Sequence, residues 1–322
     1  MVLSTRLLSY IGCISSLCLP TPISGLVLDP EGKSLEARQS PYQIRILDTG
    51  STFGQESNGV WQLIDGTGDG IPDLAYIKTR STGTNSVEVH IASSSSGFQT
   101  RTFEAGTTFA EEEDGTWLLV PSKTSTLPDL GFIKTANTPS GRVEVHIASG
   151  ASNYTVRTLE KATVFGNEDN GSWSLYDYDG DGLLDLVYIK TRNTRTGKVE
   201  VRVASGASTY SEFVFQTATT FAASNNNNDG FWFLAPYLAP GAADLVYVKD
   251  ANSGTGQIEV YIASETSRYQ TRIFQGASAA FAEEANGVWD LIDYNRDGIL
   301  DLTYIKYINT GTGTTEVHVA AG

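Results

Sequence analysis

The chain has 322 residues, with 22 Lys and Arg against 37 Asp and Glu, a net charge of −15, and 40% hydrophobic residues. A protein that acidic is not suited to nucleic acid or to an anionic membrane surface as partner. Both cysteines, Cys13 and Cys18, fall within the first 25 residues, so the remainder of the chain has neither disulfides nor thiol chemistry.

Residues 1–25 read as a secretory signal peptide. Arg6 supplies the positive start, Leu7 to Leu19 is mostly apolar, and Ser24 and Gly25 offer small residues for cleavage. The run is too short and too interrupted by serine to span a bilayer. No later stretch is apolar enough, so no membrane span is expected and the protein is read as secreted. Without this segment the chain carries 21 basic and 37 acidic residues, a net charge of −16. Residues 26–40 have no clear period and read as a leader or linker.

From residue 41 to 322 the chain repeats. Gly-x-Trp recurs at Trp61, Trp117, Trp173, Trp232 and Trp289, at intervals of 56, 56, 59 and 57, and these are all five tryptophans. After each comes a β-branched and aromatic run ending in Lys78, Lys134, Lys190, Lys249 or Lys306. A V-E-V-H-I-A-like run follows, with Glu88, Glu144, Glu200, Glu259 and Glu316. A last strand ends at Phe53, Phe109, Phe165, Phe221 or Phe281. Alternation over short runs bounded by Gly, Ser, Thr and Asn predicts about four strands per unit, A to D. Units of this length predict an all-β fold, a β-propeller of five four-stranded blades. The first element, Tyr42 to Phe53, is a D strand without A, B or C before it. The last, Thr315 to Ala320, is a C strand without D after it. Pairing the two closes the ring and leaves no open edge.

Parity within the B–C hairpin sets Lys78 opposite Glu88, Tyr76 opposite His90 and Ile77 opposite Val89. The recurrent Lys and Glu are expected to form a cross-strand ion pair. His90, His146 and His318 occupy one repeated position, filled elsewhere by Arg202 and Tyr261, and are expected to be structural rather than catalytic.

The A–B turns carry the most specific chemistry. In the third unit, Asp177, Asp179, Asp181 and Asp185 stand at positions 1, 3, 5 and 9, with Gly182 at position 6. Four carboxylates in one turn repel unless a cation joins them, and this spacing points alternate oxygens at one hard ion, Ca²⁺. Position 12 is Tyr188 in a strand, which excludes an EF-hand. The fifth turn matches fully, with Asp293, Asn295, Asp297 and Asp301. The first has Asp65, Asp69 and Asp73 but Thr67 at position 3. The second and fourth retain only Asp129 and Asp244. Two strong calcium sites and one weaker one are therefore expected.

These D-x-[DN]-x-D-G-x-x-D-L turns, with the Phe53-Gly54 and Phe165-Gly166 pairs, resemble the FG-GAP/VCBS repeats of integrin α-subunit propellers and of fungal lectins of the Psathyrella velutina type. The resemblance covers residues 42–322, though Phe-Ala replaces Phe-Gly in the other units. It implies that the calcium is structural. The B–C and D–A loops, rich in Thr, Asn, Gly and acids, suit hydrogen bonding to sugar hydroxyls. No Ser/His/Asp or Cys/His set stands out. The expected function is non-catalytic binding of a glycan or cell-surface glycoconjugate, or adhesion. The alternatives are a protein–protein interaction propeller and a propeller-fold glycosidase or lyase.

Overall fold

The computed structural model describes residues 40–224 and 229–322; the expected signal peptide and the linker as far as residue 39 lie outside the described residues. The strands are β1 (Arg45–Gly54), then β2 (Gly59–Ile64), β3 (Asp73–Lys78), β4 (Ser86–Ala92) and β5 (Arg101–Ala110) as the first blade. The second blade is β6 (Gly115–Val120), β7 (Asp129–Lys134), β8 (Arg142–Ala148) and β9 (Arg157–Gly166). The third is β10 (Gly171–Tyr176), β11 (Asp185–Lys190), β12 (Lys198–Ala204) and β13 (Phe213–Ala222). The fourth is β14 (Gly230–Ala235), β15 (Asp244–Lys249), β16 (Gln257–Ala263) and β17 (Arg272–Ala282). The fifth joins β18 (Gly287–Ile292), β19 (Asp301–Lys306) and β20 (Thr314–Ala320) to β1. The expected closure is present: β1 pairs antiparallel with β20, Leu47 opposite Val319 and Thr49 opposite Val317. Successive A strands (β2, β6, β10, β14, β18) touch one another and form the inner wall.

Each space between blades holds its own apolar cluster. Phe53, Trp61 and Leu63 meet Ile305 and Val317 between the fifth and first blades. Val89, Phe109 and Trp117 fill the next space, and the pattern repeats around Trp173, Leu234 and Trp289. Leu74, Leu130, Leu186, Leu245 and Leu302, one per blade, are completely buried. Each contributes about 1.5–3 kcal/mol. The glycine of Gly-x-Trp has a steric cause. A Cβ on Gly59, Gly115, Gly171, Gly230 or Gly287 would lie 1.9–2.1 Å from a carbonyl oxygen of the neighbouring B strand.

A second repeated device is absent from the sequence reading. Tyr42, Phe98, Tyr154, Tyr210 and Tyr269 stand just before the D strands, buried, with φ between 60° and 67°. That left-handed backbone is rare for an aromatic residue. Here it turns the ring into the space between blades and the carbonyl toward the preceding blade. Phe98 O accepts from Thr52 N at 2.9 Å, and Tyr154 O, Tyr210 O and Tyr269 O accept from Thr108, Val164 and Thr220 at 2.8–2.9 Å.

Candidate functional site

The acidic turns differ more than their sequences suggest. In the third, carboxylate oxygens of Asp177, Asp179 and Asp185 all lie within 4.8 Å of one another. Asp177 Oδ2 accepts from Gly182 N at 3.0 Å, while its Oδ1 is buried without a partner. Asp181 turns its Oδ1 to Leu183 N at 2.7 Å. Burial, and then the charges of Asp179 and Asp181, push the Asp185 pKa up against two backbone hydrogen bonds. An orphaned buried oxygen beside two further carboxylates fits a hard cation. Asp177, Asp179 and Asp185 would hold it, and it would neutralise the turn.

The other two turns satisfy their carboxylates internally, although Thr67 Oγ1 in the first is buried without a partner. Asp65 accepts from Thr67, Gly68 and Gly70 N–H groups, and Asp69 from Ile71 N. Asp293 accepts from Asp297 and Gly298 N–H groups, and Asn295 Nδ2 donates to Asp297 at 3.0 Å. The first turn also receives a cation from the protein itself. Arg296, in the fifth turn, donates through Nε to Gly70 O at 3.0 Å, and its guanidinium lies 3.9 Å from Asp69 Oδ1.

Position 9 has a further role in every blade. Asp73, Asp129, Asp185, Asp244 and Asp301 accept from the backbone N–H of Ser94, Gly150, Gly206, Glu265 and Gly322 at 2.7–2.9 Å. Each carboxylate therefore staples the A–B turn to the second residue after strand C. This is why Asp129 and Asp244 persist in turns that have lost the other ligands. We expect Asp244→Ala to lower stability by about 1–3 kcal/mol, the cost of orphaned buried N–H groups, with calcium stoichiometry unchanged. Melting and calcium titration of this variant check both halves.

The second repeated constellation is a pocket between neighbouring blades. One register row crosses each blade. In the first it is Trp61, Tyr76, His90 and Glu104. The Trp and Tyr rings stack at 4.2 Å between centroids, and Phe53 from the preceding D strand meets the indole edge-on at 5.3 Å. Arg101 lies over Phe53 at 4.7 Å and pairs with Glu104 at 2.8 Å. Lys78 and Glu88 enclose the end near the B–C and D–A loops, around a volume of about 190 Å³. Pockets of about 160 and 170 Å³ repeat this set in the second and fifth blades.

The B–C register is as expected, with Lys78 opposite Glu88, but the ion pair is not. Glu88 accepts instead from Thr84 N and Oγ1, at 3.0 and 2.9 Å. Lys78 reaches Glu56 of the D–A loop at 3.1 Å. Lys134–Glu112, Lys190–Glu168 and Lys306–Glu284 repeat this at 2.6, 2.5 and 3.0 Å. Each Lys thus latches a D–A loop to the blade. The three histidines stand in three separate pockets, as their spread along the chain requires. Burial lowers the pKa of His146 and His318.

The rows vary in a correlated way. Where strand C has His, strand D has an acid opposite: His90 with Glu104, His146 with Glu160, His318 with Asp48. Where strand C has Arg202 or Tyr261, the partner is Gln216 or Gln275. In the third blade Phe213 takes the place of the D-strand arginine and meets Phe165 edge-on at 4.9 Å. Arg202 supplies the cation instead, 2.6 Å from Glu200 and 3.5 Å from Glu168. The sequence reading missed the D-strand arginines. Their signal is the Arg-x-x-acid spacing of Arg45/Asp48, Arg101/Glu104 and Arg157/Glu160, which recurs with the repeat.

The pocket between the third and fourth blades is larger than these three, at about 370 Å³. Trp232 and Tyr247 stack at 4.1 Å but are only half-buried, whereas the other four tryptophans are buried. Its wall includes Lys249, Tyr261, Arg272 and Gln275.

No family model matches the chain, and no curated protein matches it. Among solved structures it is similar to the catalytic domain of a GH62 α-L-arabinofuranosidase from Coprinopsis cinerea. Identity is 13% and the TM-score 0.51, over 87% of this chain and 98% of that one. An α-L-arabinofuranosidase from Lactobacillus brevis aligns at 10% identity and TM-score 0.44, over 84% of this chain and 91% of that one. At such identities the first likeness is one of fold alone.

Proposed function

We propose that the protein is a secreted, calcium-stabilised, non-catalytic propeller that binds carbohydrate, free or on a cell-surface glycoconjugate, in the pockets between its blades. The observation that carries this reading is the half-buried Trp232–Tyr247 stack beside Tyr261, Arg272 and Gln275. An aromatic face with convergent polar groups suits a sugar ring, which has an apolar face and a hydroxyl rim.

Burial raises two carboxyls, Asp250 and Asp290, to about 6, but neither lines the pockets between the blades, and the acids at the pockets support binding over hydrolysis. A glycosidase's general acid needs a raised pKa so that it is protonated near neutral pH. Here the shifts run the other way. The Arg101 hydrogen bond holds Glu104 low. Burial pushes Glu200 up, but Arg202 and Thr196 outweigh it. Burial likewise raises Glu316, and Thr312 and His318 outweigh it. Export rests on the sequence of residues 1–25. No helix among the described residues is long and apolar enough to cross a membrane.

A glycan array, read with calcium and with chelator, tests the proposal. We expect calcium-dependent signal on a restricted glycan class, lost in Arg272→Ala. Sugar released from a panel of glycosides by the wild-type protein would replace this reading with the glycosidase one.

A further inference from the structure

The pocket between the third and fourth blades departs from the others in its charge, and the departure is coordinated. Four B-strand lysines pair with a D–A glutamate at 2.5–3.1 Å. The fifth, Lys249, has no such partner, because the sequence from Ala222 to Asn228 contains no acid. Among the described residues, no carboxylate lies within ion-pair distance of Lys249. The D-strand arginines show the same loss. Arg45, Arg101 and Arg157 pair with Asp48, Glu104 and Glu160 at 2.9, 2.8 and 3.2 Å. Arg272 has Gln275 at that position, at 3.2 Å.

One pocket has therefore lost the acidic partner of both of its recurrent cations while keeping the cations. The nearby acids are otherwise engaged. Glu283, which feels the Lys249 charge, accepts from Ser253 N–H. Glu259 accepts from Tyr261 Oη and from Thr255 Oγ1, and Asp229 Oδ1 accepts from Asn252 Nδ2 at 3.2 Å. Arg192, on the same wall, adds a third positive group and donates to a backbone carbonyl. In a chain of net charge −15, an electropositive pocket with a half-buried aromatic stack is a distinct feature. A cation partly removed from water gains most from a charged acceptor.

We propose that the pocket between the third and fourth blades binds a carboxylate-bearing sugar. Lys249 and Arg272 take the carboxylate, and the Trp232–Tyr247 face takes the ring. This rests on the carbohydrate reading above and adds the class of ligand to it.

The test is calorimetric titration of the full chain with methyl β-D-glucuronoside, methyl α-D-galacturonoside and the corresponding neutral glucoside and galactoside. Lactate serves as a carboxylate that is not a sugar. At least one uronoside should bind roughly tenfold or more tightly than its neutral counterpart, and salt should weaken it. Lys249→Gln should remove that preference without changing the melting temperature. Gln275→Glu, which restores the acid of the other pockets, should weaken the uronoside by a similar factor. Neutral and acidic sugars binding alike, or uronoside binding unchanged in Lys249→Gln, would overturn the inference and leave the carbohydrate reading standing. Lactate binding as well as the uronosides, with no neutral sugar bound, would overturn the assignment to sugars. Binding of none of these ligands would overturn the inference outright, leaving the array to decide the broader reading.

Discussion

Tyr269→Ala is expected to be the most damaging single substitution outside the strands. Tyr269 is completely buried, its ring meets Phe215 edge-on at 5.7 Å, and its hydroxyl donates to Ala243 O at 2.8 Å. Truncating an aromatic ring of this kind costs about 3–5 kcal/mol. The lost hydroxyl bond adds about 1 kcal/mol. Against a total stability of roughly 5–15 kcal/mol that is severe, and the melting temperature should fall by roughly 10 °C. Tyr269→Phe removes only the hydroxyl bond and should lose about 1 kcal/mol. The left-handed backbone at φ 60° is common to wild type and both variants, so the comparison isolates packing. Equal melting temperatures for Tyr269→Ala and Tyr269→Phe would show that the ring is not what holds the third and fourth blades together.

Calcium should raise stability by an amount of the same order. An ion that binds only the folded turn contributes about 2.7 kcal/mol at a hundredfold excess over its dissociation constant. The third turn is the first expected site, because Asp177 Oδ1 is orphaned beside Asp179 and Asp185. Asp179→Asn should remove most of the calcium-dependent shift in melting temperature. Asp69→Asn should remove little of it, because Arg296 already brings positive charge to the first turn. Coincident melting curves with calcium and with excess chelator would show these turns to be ordinary loops.

Much of the architecture is legible from residue order alone. Blade number, closure of β1 on β20 and the B–C register follow from alternation and from the spacing of Gly-x-Trp, because packing between blades demands the same apolar rows each time. The partner of Lys78 was not legible. Register fixes which Cα atoms oppose, but a lysine has reach enough to choose between Glu88 on the strand and Glu56 in the loop. The choice depends on Thr84 having already taken Glu88. The positive φ of Tyr42, Tyr154, Tyr210 and Tyr269 was not legible either, since no propensity predicts an aromatic there. Position 9 of the acidic turns illustrates a third limit. Spacing marks Asp73, Asp185 and Asp301 as ligands, while the structure also binds each to the second residue after strand C. A carboxylate with four lone pairs can do both.

The pockets explain why repetition obscured function. Four tryptophans, Trp61, Trp117, Trp173 and Trp289, are buried, and four lysines are paired. The informative unit is the one that breaks the pattern, at Trp232, Lys249 and Gln275. Such a break is visible only once the D–A loop, the B strand and the D strand are seen to line one cavity.

The same arrangement supplies its own reporter. The chain has five tryptophans, one in each blade. Among the described residues, the indole N–H of four of them donates to the backbone carbonyl five residues before it, Glu56, Glu112, Glu168 or Glu284, at 3.0–3.2 Å. A nitrogen–proton correlation spectrum of the indoles therefore reads all five pockets at once. On titration with a glycan selected from the array, we predict that the Trp232 signal shifts with the binding isotherm and the other four move less. Saturable binding that leaves all five indole signals in place would contradict the claim that the ligand sits between the blades.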